Sequence, residues 1–213
     1  MTKKSVFARL LLLMPFALFA GCATMQTHVS SNLEFVERDD SIPTELGLYV
    51  SDATQREAIR GKVWSGSTYE VIMGAALESN AERSLETIFR QVQVADNPTD
   101  LSSRNEEVPF ILELGLGNGT VNPGAFTFSN QRVTLGLEFK VYDAKGRIVL
   151  KGTSRKTGEH PAGAKGYFGG QYYYIRAIRI AAEEALYLSL EELNDFLLEN
   201  RHTFEKPTSG TTE

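Results

Sequence analysis

Leu46, Leu48 and Val50 alternate with Gly47 and Tyr49, a period of two that predicts a short strand ending at Ser51-Asp52. From about Tyr69 to Val92 the period changes. Leu77, Ala81, Leu85, Ile88, Phe89 and Val92 recur at intervals of three and four, which predicts a helix over that segment. Glu78, Glu82, Arg83 and Glu86 take its wet face, and Ser67 or Thr68 is placed to cap its start. Val92 and Val94 suggest a strand that stops at Asp96-Asn97-Pro98. Phe110, Leu112, Leu114 and Leu116 then alternate with Ile111, Glu113 and Gly115, a one-sided strand. Residues 117–130, rich in Gly, Asn, Pro and Phe, read as a long connection. Val133, Leu135, Leu137, Phe139 and Val141 give the cleanest alternation in the chain, and Asp143-Ala144-Lys145-Gly146 turns it into a partner strand over 148–153. Ile175, Ile178, Ala182, Ala185, Leu186, Leu193, Phe196 and Leu197 form the apolar stripe of a closing helix over 172–200.

Runs of strands with two long helices predict an α+β fold, a two-layer sandwich in which a mainly antiparallel sheet carries both helices on one face. The expected domain spans 46–204. Residues 22–45 are polar and lack a period, so they read as a flexible tether, in which Leu33, Phe35 and Val36 offer at most a short extended segment. Residues 205–213 read as a disordered tail.

Residues 1–21 pattern differently from everything after them. Lys3, Lys4 and Arg9 precede an apolar run of 11 residues, Leu10 to Ala20, broken only by Pro15. That run is short of the roughly 20 residues a spanning helix needs and fits the core of a signal peptide. Ala20 and Gly21 follow, and then Cys22, the single cysteine of the chain. Leu18-Phe19-Ala20-Gly21-Cys22 resembles the lipobox of bacterial lipoproteins, with Phe19 standing where Leu is more usual. The resemblance covers residues 1–22. It implies diacylglyceryl modification of the Cys22 thiol, cleavage after Gly21 and acylation of the new amino terminus. Several acyl chains hold a protein at a bilayer where one chain holds it only marginally. In enteric-type lipoproteins Asp after the cysteine favours the inner membrane. Ala23 stands there, so the resemblance implies the outer membrane, periplasmic face. The element order and the Val141-Tyr142-Asp143-Ala144-Lys145-Gly146 hairpin further resemble the small periplasmic lipoprotein domains of the YajG and CsgG kind, which implies an envelope accessory or assembly protein.

The charge arithmetic narrows the partners. The 213 residues hold 22 basic and 27 acidic side chains, a net −5; without the three cations of residues 1–21 the balance is 19 against 27, a net −8. So acidic a chain lacks the general basic field that binding to nucleic acid or to anionic lipid draws on, which leaves only local basic patches open. With 42% hydrophobic residues it has the composition of a globular domain, and a single cysteine leaves no internal disulfide to support it.

The candidate contact surface is Gly163 to Tyr174, which packs glycines and aromatics against the start of the last helix. Tyr167, Phe168, Tyr172 and Tyr173 are its expected anchors, because tyrosine joins a large apolar area to a hydrogen-bonding tip. The same residues could instead fold back onto the core, and Lys165 among glycines leaves a phosphate cradle open, though the spacing fits neither glycine-rich nucleotide motif. Phe126, Phe128 and Trp64, the last near Arg60 and Lys62, read as core cover or as further contacts. His28, His160 and His202 share no metal-ligand spacing, and no G-x-S-x-G elbow marks a nucleophile. No catalytic residue, metal site or cofactor is therefore expected beyond the covalent lipid on Cys22. The expected function is that of an outer-membrane-anchored binding or assembly accessory for an envelope protein, itself a possible homo-oligomer. A periplasmic hydrolase that uses His160 and a carrier of an apolar ligand are the alternatives.

Overall fold

A computed structural model describes residues 24–62, 67–95, 108–124, 129–161 and 171–205, Gln171 by its backbone alone. Cys22, Trp64, Phe126, Phe128, Tyr167, Phe168, the leader and the residues after 205 lie outside these. The described elements, in order, are β1 (Thr24–His28), β2 (Ile42–Val50), α1 (Asp52–Arg56), β3 (Ala58–Lys62), β4 (Thr68–Ile72) and α2 (Ala75–Glu86). They continue as β5 (Phe89–Ala95), β6 (Phe110–Leu116), β7 (Thr120–Asn122), β8 (Asn130–Asp143), β9 (Ile148–Pro161) and α3 (Gln171–Glu199), with a 3-10 turn at Arg201–Thr203.

The fold is α+β, but its sheets are mixed. A six-stranded sheet runs β5-β2-β6-β8, with β9 on the far side of β8 and β7 continuing beyond β6 along the same edge of β8. β5, β2 and β6 are parallel, while β8 pairs antiparallel with β6, β7 and β9. A second sheet of three strands, β1-β4-β3, pairs β1 parallel and β3 antiparallel to β4. The mainly antiparallel sheet expected from the pattern is thus corrected. The reason is the segment read as a single helix over 69–92. Thr68, Tyr69, Val71 and Ile72 are β-branched or aromatic and form a strand. The helix is confined to Ala75–Glu86, and the Thr87 hydroxyl donates to the Ser84 carbonyl at 2.6 Å where it ends. Ile88 and Phe89 then leave the helix and carry the chain back as β5 beside β2, a crossover that makes the pair parallel. Among the described residues one long helix remains, α3, where two were expected.

The core forms where α3 and α2 meet the six-stranded sheet. Val133, Leu135, Leu137, Phe139 and Val141 of β8 face Ile178, Ala182, Ala185, Leu186, Leu193 and Leu197 of α3, all buried. Each fully buried leucine contributes about 1.5–3 kcal/mol. Ile175 and Phe196 of the expected stripe are half-buried at its margin. Leu77, Ala81 and Leu85 of α2 complete the layer, and Phe204 closes it edge-on against Phe89 and Phe110.

Residues 24–41 form a strap on the domain in place of the expected free tether. β1 pairs with β4 from Thr24↔Thr68 to His28↔Ile72, and the Val29 N–H extends the ladder to the Ile72 carbonyl. The fully buried Asn80 then clamps the chain: its Nδ2 donates to the Ser30 carbonyl at 2.7 Å, and its Oδ1 accepts from the Leu33 N–H at 3.0 Å. Glu183 accepts from the Ser30 N–H at 3.1 Å, Phe35 stacks on Tyr187, and Arg38 bridges Glu191 at 2.7 Å and Asp195 at 2.5 Å. The strap is held through its backbone at Ser30 and Leu33 and through the Arg38 side chain, while Ser31, Asn32, Glu34, Glu37, Asp39 and Asp40 stay exposed.

The hairpin at 143–148 is a local polar unit. The buried Asp143 carboxylate accepts from the Lys145 and Arg147 N–H groups, both at 2.9 Å, and pairs with the Arg147 guanidinium at 2.6 Å. Gly146 takes the left-handed conformation that closes the turn, φ +72°. Burial pushes the Asp143 carboxyl up, but the Arg147 side chain, the two backbone N–H groups and the Arg147 charge outweigh it and hold it below its usual range. A depressed folded value means that this stabilisation is complete above the ordinary carboxyl value of ~3.9 and disappears as pH falls through the folded one. Asp143→Ala is expected to cost about 1.5–3 kcal/mol at neutral pH. The gap from wild type should narrow in urea melts as pH falls below ~4. A gap independent of pH would rule out the charge-based account.

Candidate functional site

β8 alternates cleanly, so its odd positions face α3 and its even positions lie on the opposite face of the six-stranded sheet, where Glu138 and Lys140 are exposed. Register then sets rows across that face. Glu113, Lys140 and Lys151 lie side by side on β6, β8 and β9, and Gly115, Glu138 and Thr153 form the next row. These residues line an open hollow of about 470 Å³. Gly115 has no side chain to fill it. The Tyr142 hydroxyl donates to Glu113 at 2.6 Å, and Lys140 stands 3.7 Å from the same carboxylate. The hydrogen bond to Glu113, with burial and the carboxylate's charge behind it, pushes the Tyr142 phenol up to about 12. The hollow thus presents fixed charges of both signs. His160, on which the hydrolase reading turns, faces Gln131 near the other end of β9, nine residues and roughly 30 Å from Lys151. Among the described residues no cluster of His, Cys, Asp or Glu has the makings of a metal site. No described helix is long and apolar enough to cross a membrane.

The free edge of β9 is guarded from α3. Glu184 accepts the Glu159 N–H at 2.7 Å, and Glu192 accepts from the Arg155 backbone, the Ser154 hydroxyl and the Lys156 ammonium. Burial pushes the Glu192 carboxyl up, yet these donors together hold it below its usual range. Side chains that occupy the N–H groups of an edge strand deter pairing with another chain. Nothing local in the sequence announces this, because the pairs Glu184–Glu159 and Glu192–Ser154 depend on how α3 lies over β9.

The aromatic anchors divide between described and undescribed residues. Tyr167 and Phe168 lie outside the described chain. Tyr172 and Tyr173 open α3, with rings edge-to-face at 5.7 Å, and Tyr172 is 68% exposed. Their neighbours identify the end of the molecule they occupy. Burial and the nearby Tyr174 raise the phenol of Tyr69, which is the register partner of Met25 in β1. Farther along, Glu183 of α3 meets Ser30 just past β1. β1 and the first half of α3 therefore run side by side in the same direction, which brings Thr24 and Tyr172 to one end. On the outer face of the small sheet, Thr24, Thr68 and Lys62 form the row at that end. In the next row Arg60 is neutralised by Glu70 at 2.8 Å, which also accepts from Gln26. The bonds from Arg60 and Gln26 lower the Glu70 carboxyl. Lys62 is exposed and has no ion-pair partner among the described residues.

No protein-family model matches the chain, and none of the curated proteins does. Solved structures of similar shape include a DUF330 protein of Xanthomonas campestris at 15% identity and TM-score 0.48, covering 84% of this chain and 95% of that one. A minor lipoprotein of Acinetobacter baumannii is similar at 13% identity and TM-score 0.39, covering 76% and 95%. PelC of Paraburkholderia phytofirmans, a dodecamer, is similar at 14% identity and TM-score 0.35, covering 72% and 93%. With TM-scores below 0.5, none of these bears on what this chain does. The resemblance to the YajG and CsgG kind gains no support from them, and the element order behind it is corrected by β3, β4 and β5.

Proposed function

We propose that this chain is a lipid-anchored bacterial envelope protein, acylated at Cys22 and held at the periplasmic face of the outer membrane, which serves as a binding or assembly accessory. One observation carries the reading: the only cysteine closes a basic, apolar and small-residue series in the order that lipoprotein processing requires. The charged hollow around Glu113, Lys140 and Lys151 is the surface offered to an envelope protein. Exposed charges of both signs on one stretch of sheet suit recognition by complementarity, and complementary charge governs specificity and encounter rate more than raw affinity. The protein acts by contact, without a catalytic step.

Expression in a bacterial host with a clickable palmitate analogue tests the anchor. The wild-type chain takes up the label, Cys22→Ser takes up none, and its unprocessed precursor accumulates. Label in the Cys22→Ser variant, or none in wild type, overturns the assignment. Ala23→Asp tests the destination, because it should move the protein from outer- to inner-membrane fractions of an enteric host. A photo-crosslinker at Lys151 tests the partner surface, with one dominant envelope protein as the expected adduct.

A further inference from the structure

Only Ala23 separates the lipobox cysteine from the first residue of a hydrogen-bonded strand. Two residues of chain span at most ~7 Å, so an acylated Cys22 leaves the fold almost no stand-off from the lipid. Thr24 is then at headgroup level, and the residues level with it follow from register. Thr68 is its partner on β4 and Lys62 the partner of Thr68 on β3, about 10 Å across the sheet. Tyr172 reaches the same end on α3. We infer that the end of the domain bearing Thr24, Lys62 and Tyr172 rests on the lipid headgroups, with Lys62 facing lipid phosphate and the Tyr172 ring in the membrane interface. The inference rests on the lipid anchor proposed above.

Three observations converge on this orientation. Lys62, the cation in the row nearest the anchor, has no ion-pair partner among the described residues, whereas Arg60, one row farther, is already neutralised by Glu70. Unpaired lysines near a membrane surface are attracted to anionic lipid. Among the described residues the exposed large aromatic of this end is Tyr172, which combines an apolar ring with a polar tip, the character enriched where bilayer meets water. The strap supplies the third. Asn80, Glu183 and Arg38 fix residues 30–38 to the helices, so β1 cannot pay out as slack and let the domain drift away. Tyr172 and Tyr173, expected from sequence to meet a protein, are thereby assigned to lipid.

The opposite pole is equally defined. β3 packs on β7, whose Val121 pairs with Val133, and the hairpin bearing Lys145 lies ten residues and roughly 33 Å farther along β8. The full-length protein is purified from a bacterial host with an environment-sensitive dye at Tyr172→Cys, Lys62→Cys or Lys145→Cys. An acylated Cys22 thiol is blocked and takes no dye. Each protein is placed in vesicles of phosphatidylethanolamine and phosphatidylglycerol containing headgroup-spin-labelled lipid, and its acylation is read by intact mass. The dyes at 172 and 62 are expected to lose fluorescence to the spin label, while the dye at 145 keeps the intensity it has without quencher. An acylated protein whose dyes at 172 and 62 are quenched no more than that at 145 overturns the orientation and leaves the anchor standing. A mass without acyl chains removes both. A photo-crosslinker at Tyr172 that captures an envelope protein and no lipid in intact cells also overturns the assignment.

Discussion

Gly158→Ala is expected to lift α3 from the sheet. A Cβ at this position would lie 2.0 Å from the Ala181 carbonyl oxygen, 2.7 Å from the Ala185 nitrogen and 2.9 Å from the Glu184 Cβ. The first two are helix backbone and cannot swing aside as a side-chain tip would. Ala181, Ala182 and Ala185 show why the approach is so close: a run of small residues lets the helix axis sink toward β9 until only glycine fits beneath it. Overpacking in a dense core typically costs about 1–3 kcal/mol, and a clash with backbone belongs at or above the upper figure. Displacement of the helix also pulls Glu184 from the Glu159 N–H and exposes that edge. A loss near 3 kcal/mol lowers Tm by about 6–12 °C in a domain of this size. Thermal unfolding followed by circular dichroism measures it, and light scattering should show earlier aggregation. A Tm within about 2 °C of wild type would mean that α3 sits farther from β9 than described.

The second large effect is local. Asn80→Ala removes both hydrogen bonds that pin the strap, leaving the Ser30 carbonyl and the Leu33 N–H without their partner. An orphaned buried polar group costs about 1–3 kcal/mol. Phe35 on Tyr187 and Arg38 on Glu191 and Asp195 remain, so the strap should open frequently without leaving for good. Hydrogen exchange at the Ser30 and Leu33 amides is expected to accelerate by about 30–100-fold, the equivalent of 2–3 kcal/mol. Amides of β8 and of the middle of α3 should keep their protection. Uniform acceleration across the domain would sink this view, because it would make Asn80 an ordinary core residue. In lipid-anchored protein the same variant should give the domain the slack that the polar sequence of residues 23–45 suggests.

What could be read in the sequence follows the range of the forces involved. The β8–β9 hairpin and α3 were legible because period, turn chemistry and packing agree at each position: Val133 to Val141 alternate, Asp143 and Gly146 turn the chain, and Ile178 to Leu197 keep a helical stripe. The helix reads too long, over about Tyr69 to Val92, because Leu77, Ala81 and Leu85 set a helical period that Ile88, Phe89 and Val92 continue by coincidence of spacing, whereas the strand expected at Val92 and Val94 is there as the second half of β5. The β-branched and aromatic Thr68, Tyr69, Val71 and Ile72 are the local hint of a strand before the helix. The strap was illegible for another reason. Its partners Asn80, Glu183, Glu191 and Asp195 lie dozens of residues away, so Ser30 and Arg38 look solvated until the fold brings those partners up. At the candidate sites, Tyr172 stood out as an aromatic at a helix start. The charged hollow was implicit in the even positions of β8, since alternation that buries Leu137 and Phe139 must expose Glu138 and Lys140. Neither the sequence pattern nor composition brings Lys62 beside Thr24; that needed the register of β1, β4 and β3.

The parallel pairing of β1 with β4 has a mechanical consequence. β1 runs from Thr24 away from the end that the proposed anchor would occupy, so drag on an acylated Cys22 would enter the fold along the strand axis at Thr24. Five register pairs, Thr24↔Thr68 to His28↔Ile72, then bear the load together in shear, where a strand pulled sideways would peel one bond at a time. The strap's clamps at Ser30 and Leu33 lie in series behind them. Forced unfolding is governed by the rate of crossing the barrier. A joint that must break five pairs at once would make that crossing slow for a domain loaded through the proposed anchor.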